Sequence, residues 1–189
     1  MRRTKAKNAS NGPAVGQDLF LGLVAGAAGT AAMDLVLYAR YRRGGGKDSM
    51  WKWESAETVK NWDEASAPGQ VGEKIEALFI HHPLPDKWAR STTNVVHWAT
   101  GAGWGLQYGL LAGKSRHRWA LLASLGPAAW LSSYATLPLV KIYKPIWDYD
   151  AKTLGQDLSA HLVYGLVTGA TFAALGRAVS GRRAKEGSP

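Results

Sequence analysis

The stretch STTNVVHWATGAGWGLQYGLLAG, Ser91 to Gly113, contains no Asp, Glu, Lys or Arg. A helix rises about 1.5 Å per residue, so a run of about 22 residues covers roughly 33 Å, enough to cross a hydrocarbon core of about 30 Å. Within the stretch Gly101, Gly105, Gly109 and Gly113 recur every fourth residue. They form a glycine-zipper stripe on one helix face, against which a second backbone can press closely in lipid.

Trp119 to Val140 and Leu158 to Gly176 are equally free of charge, and Leu19 to Ala39 is interrupted only by Asp34. Four such runs, each bracketed by basic residues, predict an all-α integral membrane bundle of four transmembrane helices at about 18–41, 92–113, 118–140 and 156–177. Buried helices of a soluble protein rarely come four in a row at this length. The first run also outlasts a cleaved signal segment, whose apolar part is usually about 7 to 15 residues. The expected organisation is a membrane domain over 18–179, an outer loop over 42–91, and disordered basic cytoplasmic tails at 1–17 and 180–189.

The glycines extend the packing argument to the other helices. Gly22 and Gly26, and Gly165 and Gly169, offer small-xxx-small faces on the first and fourth helices. Compact packing inside one bundle is the simpler use of these faces, and homo-oligomerisation stays open. Pro127 and Pro138 interrupt the third helix, where Ser132, Ser133 and Thr136 stand ready to take up freed carbonyls.

Among 189 residues, 23 Lys+Arg against 14 Asp+Glu give a formal charge of +9. The charge gathers at Arg2–Lys7, Lys114–Arg118 and Arg177–Lys185 rather than on one face. That pattern suits an anionic cytoplasmic leaflet and argues against nucleic acid as a partner. Lys and Arg divide almost evenly between the two sides but are denser on the side holding both termini, which predicts cytoplasmic termini. The chain has no cysteine, so disulfides, thiolate metal sites and cysteine nucleophiles are excluded.

The outer loop is expected to carry short interfacial helices. Val71, Ile75, Leu78 and Phe79 fall at helical spacing, and Trp51, Trp53, Val59 and Trp62 are mixed with Lys and Glu, as for a helix at the headgroup boundary. Gly44 to Gly46 would be the hinge, and His81 and His82 precede Pro83 in an exposed position.

Charged and titratable groups in a bilayer are costly and need partners. Counting helix rise from the outer ends puts Asp34, His97, Tyr134, Asp157 and His161 in one polar layer, with Asp157 and His161 on one face of the fourth helix. Three uses stay open: a hydrogen-bond network that locks the bundle, a proton- or ion-handling site, and a metal site built from Asp34, His97, Asp157 and His161. No hydrolase elbow, zinc-protease helix or phosphate-binding loop is present, so no enzyme activity and no cofactor are expected.

Several of these stretches together resemble the YagU-like family of bacterial inner-membrane proteins. They are Gly22-Leu-Val-Ala-Gly26, Val95-Val-His97-Trp98 with the glycines that follow, Pro138, Pro145, Trp147, and Ala160-His161-Leu-Val-Tyr164. The resemblance implies a multi-pass inner-membrane location with cytoplasmic termini and a link to envelope or acid tolerance. It supplies no catalytic residue, and the Trp-rich segment Ser49 to Gly69 departs from the family pattern. A transporter or channel component for protons, ions or small solutes is the alternative function.

Overall fold

The computed structural model of the chain describes residues 11–80, 82, 84–115 and 118–186. Among these the protein is all-α, without a strand: α1 (Asn11–Arg43), α2 (Met50–Glu54), α3 (Ala67–Phe79), α4 (Ala89–Lys114), α5 (Arg118–Thr136) and α6 (Ala151–Glu186), with single 3₁₀ turns at Asp86–Trp88 and Ile146–Asp148.

Helix ends follow local chemistry. α1 stops where Gly45 takes φ +95°. The Gly45 N–H then donates to the Arg42 carbonyl and the Gly46 N–H to the Tyr41 carbonyl, a left-handed cap that glycine adopts without strain. Arg40, Arg42 and Arg43 fill its last turn, where cations suit the helix dipole. α5 was expected to reach Val140 but ends at Thr136. Pro138 lacks an N–H and disfavours helical backbone at Leu137, and Lys141 at φ +59° closes the turn. Pro127 lies within α5. Ser132 and Ser133 bond the Ala129 carbonyl and Thr136 the Ser132 carbonyl, rather than the Ala123 or Tyr134 carbonyls that the two prolines would free.

The tails differ from expectation as well. α1 already includes Asn11–Gln17, and α6 runs on to Glu186, because nothing in 177–186 breaks a helix except Gly181. Residues 1–10 and 187–189 of the expected tails lie outside the described residues, as do His81 and Pro83; His82 is exposed.

α1 is the centre of the bundle. It packs against α4 on one side and α6 on the other, α5 lies against α6, and α3 rests on α4. The glycines set these approaches. A Cβ added at Gly26 would stand 2.6 Å from the Gly101 carbonyl oxygen and 2.9 Å from the Gly105 Cα, and one at Gly109 would stand 2.9 Å from the Gly22 Cα. Gly113 meets the Asp18 side chain, Gly165 meets Gly126 across α5 and α6, and Gly169 meets Leu122. Leu21 and Ala25 of α1, Tyr108 and Ala112 of α4, Leu125 of α5, and Tyr164 and Phe172 of α6 form the core.

α1 (over Val15–Arg43) and α6 (over Ala151–Gly181) are the helices long and apolar enough to cross a membrane. Asn94, His97, Gln107 and three threonines dilute α4, while serines, aromatics and Pro127 dilute the shorter α5. Large apolar side chains nevertheless point outward on all four long helices: Phe20 and Leu35, Val95 and Leu111, Leu131, and Leu166.

Candidate functional site

The loop after α1 folds back over one end of the bundle. Trp62, buried, donates its indole N–H to the Leu84 carbonyl, which explains why it leaves the helical pattern expected for it. α2 is held from two sides. Trp53 packs against Tyr38 and Tyr41 of α1, with ring centroids 5.6 and 6.2 Å apart. The Ser55 carbonyl accepts hydrogen bonds from Arg90 Nε at 3.0 Å and Asn94 Nδ2 at 2.9 Å, both on α4. Ser49 caps the start of α2, and Ala56 in the left-handed region (φ +48°) closes its end. The last residue of this short helix, Glu54, is thereby fixed over the seam between α1 and α4.

Beneath it lies Asp34, 2% exposed although it interrupts an apolar helix. His97 of α4 brings Nε2 to 2.9 Å from Asp34 Oδ2 and 3.1 Å from Oδ1. With the carboxylate ionised, Nε2 carries the proton and donates. Asp34, Glu54 and His97 each offer a ligand atom, and these atoms lie within 4.8 Å of one another. Glu54 Oε1 is shut off from solvent without a hydrogen-bond partner among the described residues. Burial, and then the charge of Asp34, raises the Glu54 carboxyl above its ordinary range.

These three residues line a cavity of about 680 Å³ that Asp157 and His161 of α6 also line. His161 Nδ1 lies 3.0 Å from the Asp157 carbonyl oxygen and 3.5 Å from its Oδ1, a pairing within one turn of α6. Tyr134 opens instead onto an adjoining cavity of about 330 Å³, shared with Arg40, Tyr143, Tyr149 and Asp157. Its ring packs against Trp130, Tyr143 and Tyr149 with centroids 5.1 to 5.3 Å away. Burial, then the charges of Asp157 and Tyr149, pushes the Tyr143 hydroxyl up to about 12. Arg40 ties α1 to α6 by donating to the Gln156 carbonyl and to Ser159 Oγ.

The five sequence-derived residues thus form two groups joined by a shared chamber: Asp34 with His97, and Asp157 with His161 and with Tyr134, whose hydroxyl interacts with Asp157 from the neighbouring pocket. Of the open uses, a metal site would draw on a different set from the four residues considered: among the described residues the cluster with ligand spacing is Asp34, Glu54 and His97, without Asp157 or His161. One signal for Glu54 was legible, a carboxylate that directly follows Trp51-Lys52-Trp53, but the loop's path over the bundle is not periodic and hid it. No protein-family model, characterised protein or solved structure matches this chain.

Proposed function

We propose that this chain is a bacterial inner-membrane protein that crosses the bilayer four times, with cytoplasmic termini, and admits protons or small cations to a chamber near its outer face. The observation that carries this reading is Asp34: a carboxylate 2% exposed in an apolar helix, paired with His97 and opening onto a cavity of about 680 Å³. A charge retained at membrane depth is costly, and where it faces a cavity it is a functional-site hypothesis by default. The outward apolar side chains on all four long helices support lipid contact around the whole bundle, beyond the two helices whose composition alone suits a crossing. Exposed Ile75, Leu78 and Phe79 give α3 an apolar face suited to the outer headgroup boundary, and the basic clusters near the termini suit anionic lipids on the inner side. The resemblance to YagU-like proteins points the same way, and tolerance of acid is the physiological role this reading favours. Binding and passage, rather than catalysis, is the chemistry assigned.

Two measurements test it. In proteoliposomes carrying a pH-sensitive dye, the wild type should dissipate an imposed proton or cation gradient and Asp34→Asn should not; equal rates in the two, or no flux from well-folded protein, would sink the reading. The native chain lacks cysteine, so single cysteines at Gly16 and Gly181 should label from one side of the membrane and those at Gly46 and Trp147 from the other.

A further inference from the structure

We infer that Asp34, Glu54 and His97 form a binding site for one divalent first-row transition-metal ion, with zinc the best match. The inference rests on the chamber reading above for the ion's route of access, and on separate geometry for the site itself.

Two carboxylates and an imidazole converge from three elements, α1, α2 and α4, with ligand atoms within 4.8 Å of one another. In a tetrahedral zinc complex with bonds of about 2.0–2.1 Å, neighbouring ligand atoms stand about 3.3–3.4 Å apart. The His97 Nε2 to Asp34 Oδ2 separation of 2.9 Å therefore has to open by only a few tenths of an ångström for an ion to take the place of the bridging proton. Glu54 completes the set by a side-chain rotation.

The second observation is the state of Glu54. Its Oε1 is shut off from solvent without a donor, although the half-buried side chain also interacts with Asp34 and Trp98. A buried acceptor without a donor is costly, and a second negative charge nearby makes it more so. A cation between the two carboxylates satisfies both.

The donor set narrows the ion. An imidazole nitrogen favours zinc, iron, nickel or copper over calcium and magnesium, and the absence of thiolates removes the preference for soft ions. Three protein ligands leave a fourth position for water or an incoming group, and all three ligands line the 680 Å³ cavity that would supply it. α2 is then more than a cover: it brings the ligand that closes the site.

The test is calorimetric titration of Zn2+ into the purified full-length chain in detergent at pH 7, with Mg2+ as a control. The expected result is one Zn2+ per chain, no response to Mg2+, and at least tenfold weaker Zn2+ binding in each of Glu54→Gln, Asp34→Asn and His97→Ala. His82→Ala, on the exposed loop, should bind as the wild type does. Glu54→Gln keeps shape at the end of a surface helix, so its circular dichroism and unfolding temperature should show an intact fold where the core variants do not. Absence of Zn2+ binding, or binding unchanged in Glu54→Gln, overturns the site. Binding without flux in liposomes keeps the site and removes the transport reading; flux without binding does the reverse.

Discussion

Tyr164 of α6 donates its hydroxyl to the Gly101 carbonyl of α4 at 2.7 Å, across the diagonal of the bundle. The two helices make few backbone contacts, since α1 lies between them, so this bond and the Tyr108–Phe172 ring contact at 5.5 Å tie the diagonal together. Tyr164→Phe removes the donor and keeps the ring. Interhelical hydrogen bonds in membranes are worth on average about 0.6 kcal/mol and at most about 1.7. We expect a loss of roughly that size in denaturant unfolding in detergent, with the helical content unchanged; no loss would mean that packing alone holds the diagonal.

Gly103 and Gly105 give opposite predictions on one helix. A Cβ at Gly103 meets nothing within 4 Å, whereas one at Gly105 runs into Gly26 backbone. Gly105→Ala must push α1 and α4 apart, and such overpacking typically costs about 1–3 kcal/mol. Gly103→Ala should be neutral or stabilising by up to about 1 kcal/mol, because alanine is the better helix former. Equal effects in a thermal unfolding comparison would show that the glycine stripe does not set the α1–α4 distance.

Periodic features of this chain are legible in its sequence; contacts between distant segments are not. Gly101, Gly105 and Gly109 are legible because a four-residue interval fixes a helix face, and the structure sets them against Gly22 and Gly26. The common level of Asp34 and His97 is legible from helix rise, and the two are hydrogen-bonded. The level of Tyr134 is legible in the same way, since its hydroxyl interacts with Asp157, but rise gives depth and not azimuth, and its ring packs among Tyr143 and Tyr149 in an adjoining pocket. Glu54 escapes altogether: its place depends on Trp53 between Tyr38 and Tyr41 and on Ser55 beneath Arg90 and Asn94, contacts between segments far apart in sequence.

Ala56 closes α2 at φ +48°, with its own N–H donating to the Trp53 carbonyl and the Glu57 N–H to the Lys52 carbonyl. Glycine is the usual residue at this position because a Cβ in the left-handed region costs about 1–2 kcal/mol. Ala56→Gly should relieve that strain while adding chain entropy to the unfolded state, an offset of about 0.4–1 kcal/mol. The net expectation is a gain below about 1 kcal/mol in unfolding free energy, with Glu54 kept in place. A loss would show that the turn is held by contacts of the alanine methyl rather than tolerated in spite of it.

Asp150 sits immediately before α6 and accepts two hydrogen bonds from Thr153, from the hydroxyl to Oδ2 at 2.7 Å and from the backbone N–H to Oδ1 at 2.9 Å. Those bonds, the hydroxyl's first, hold its carboxyl below the usual range. A group lowered in the folded state binds its proton more readily when unfolded, so its contribution is fully present above the unfolded value of about 3.9 and disappears as pH falls through the lower folded one. Acidification across that window should therefore fray the first turn of α6 by protonating the cap. Amide exchange at Thr153 reports the fraying directly: protection should fall with pH in the wild type after correction for intrinsic rates, and should be low and flat with pH in Asp150→Ala. Because α6 carries Asp157 about two turns and His161 about three turns further on, a loosened start would also reach the chamber wall, and Asp150→Asn, which retains an acceptor without the titration, separates capping from charge.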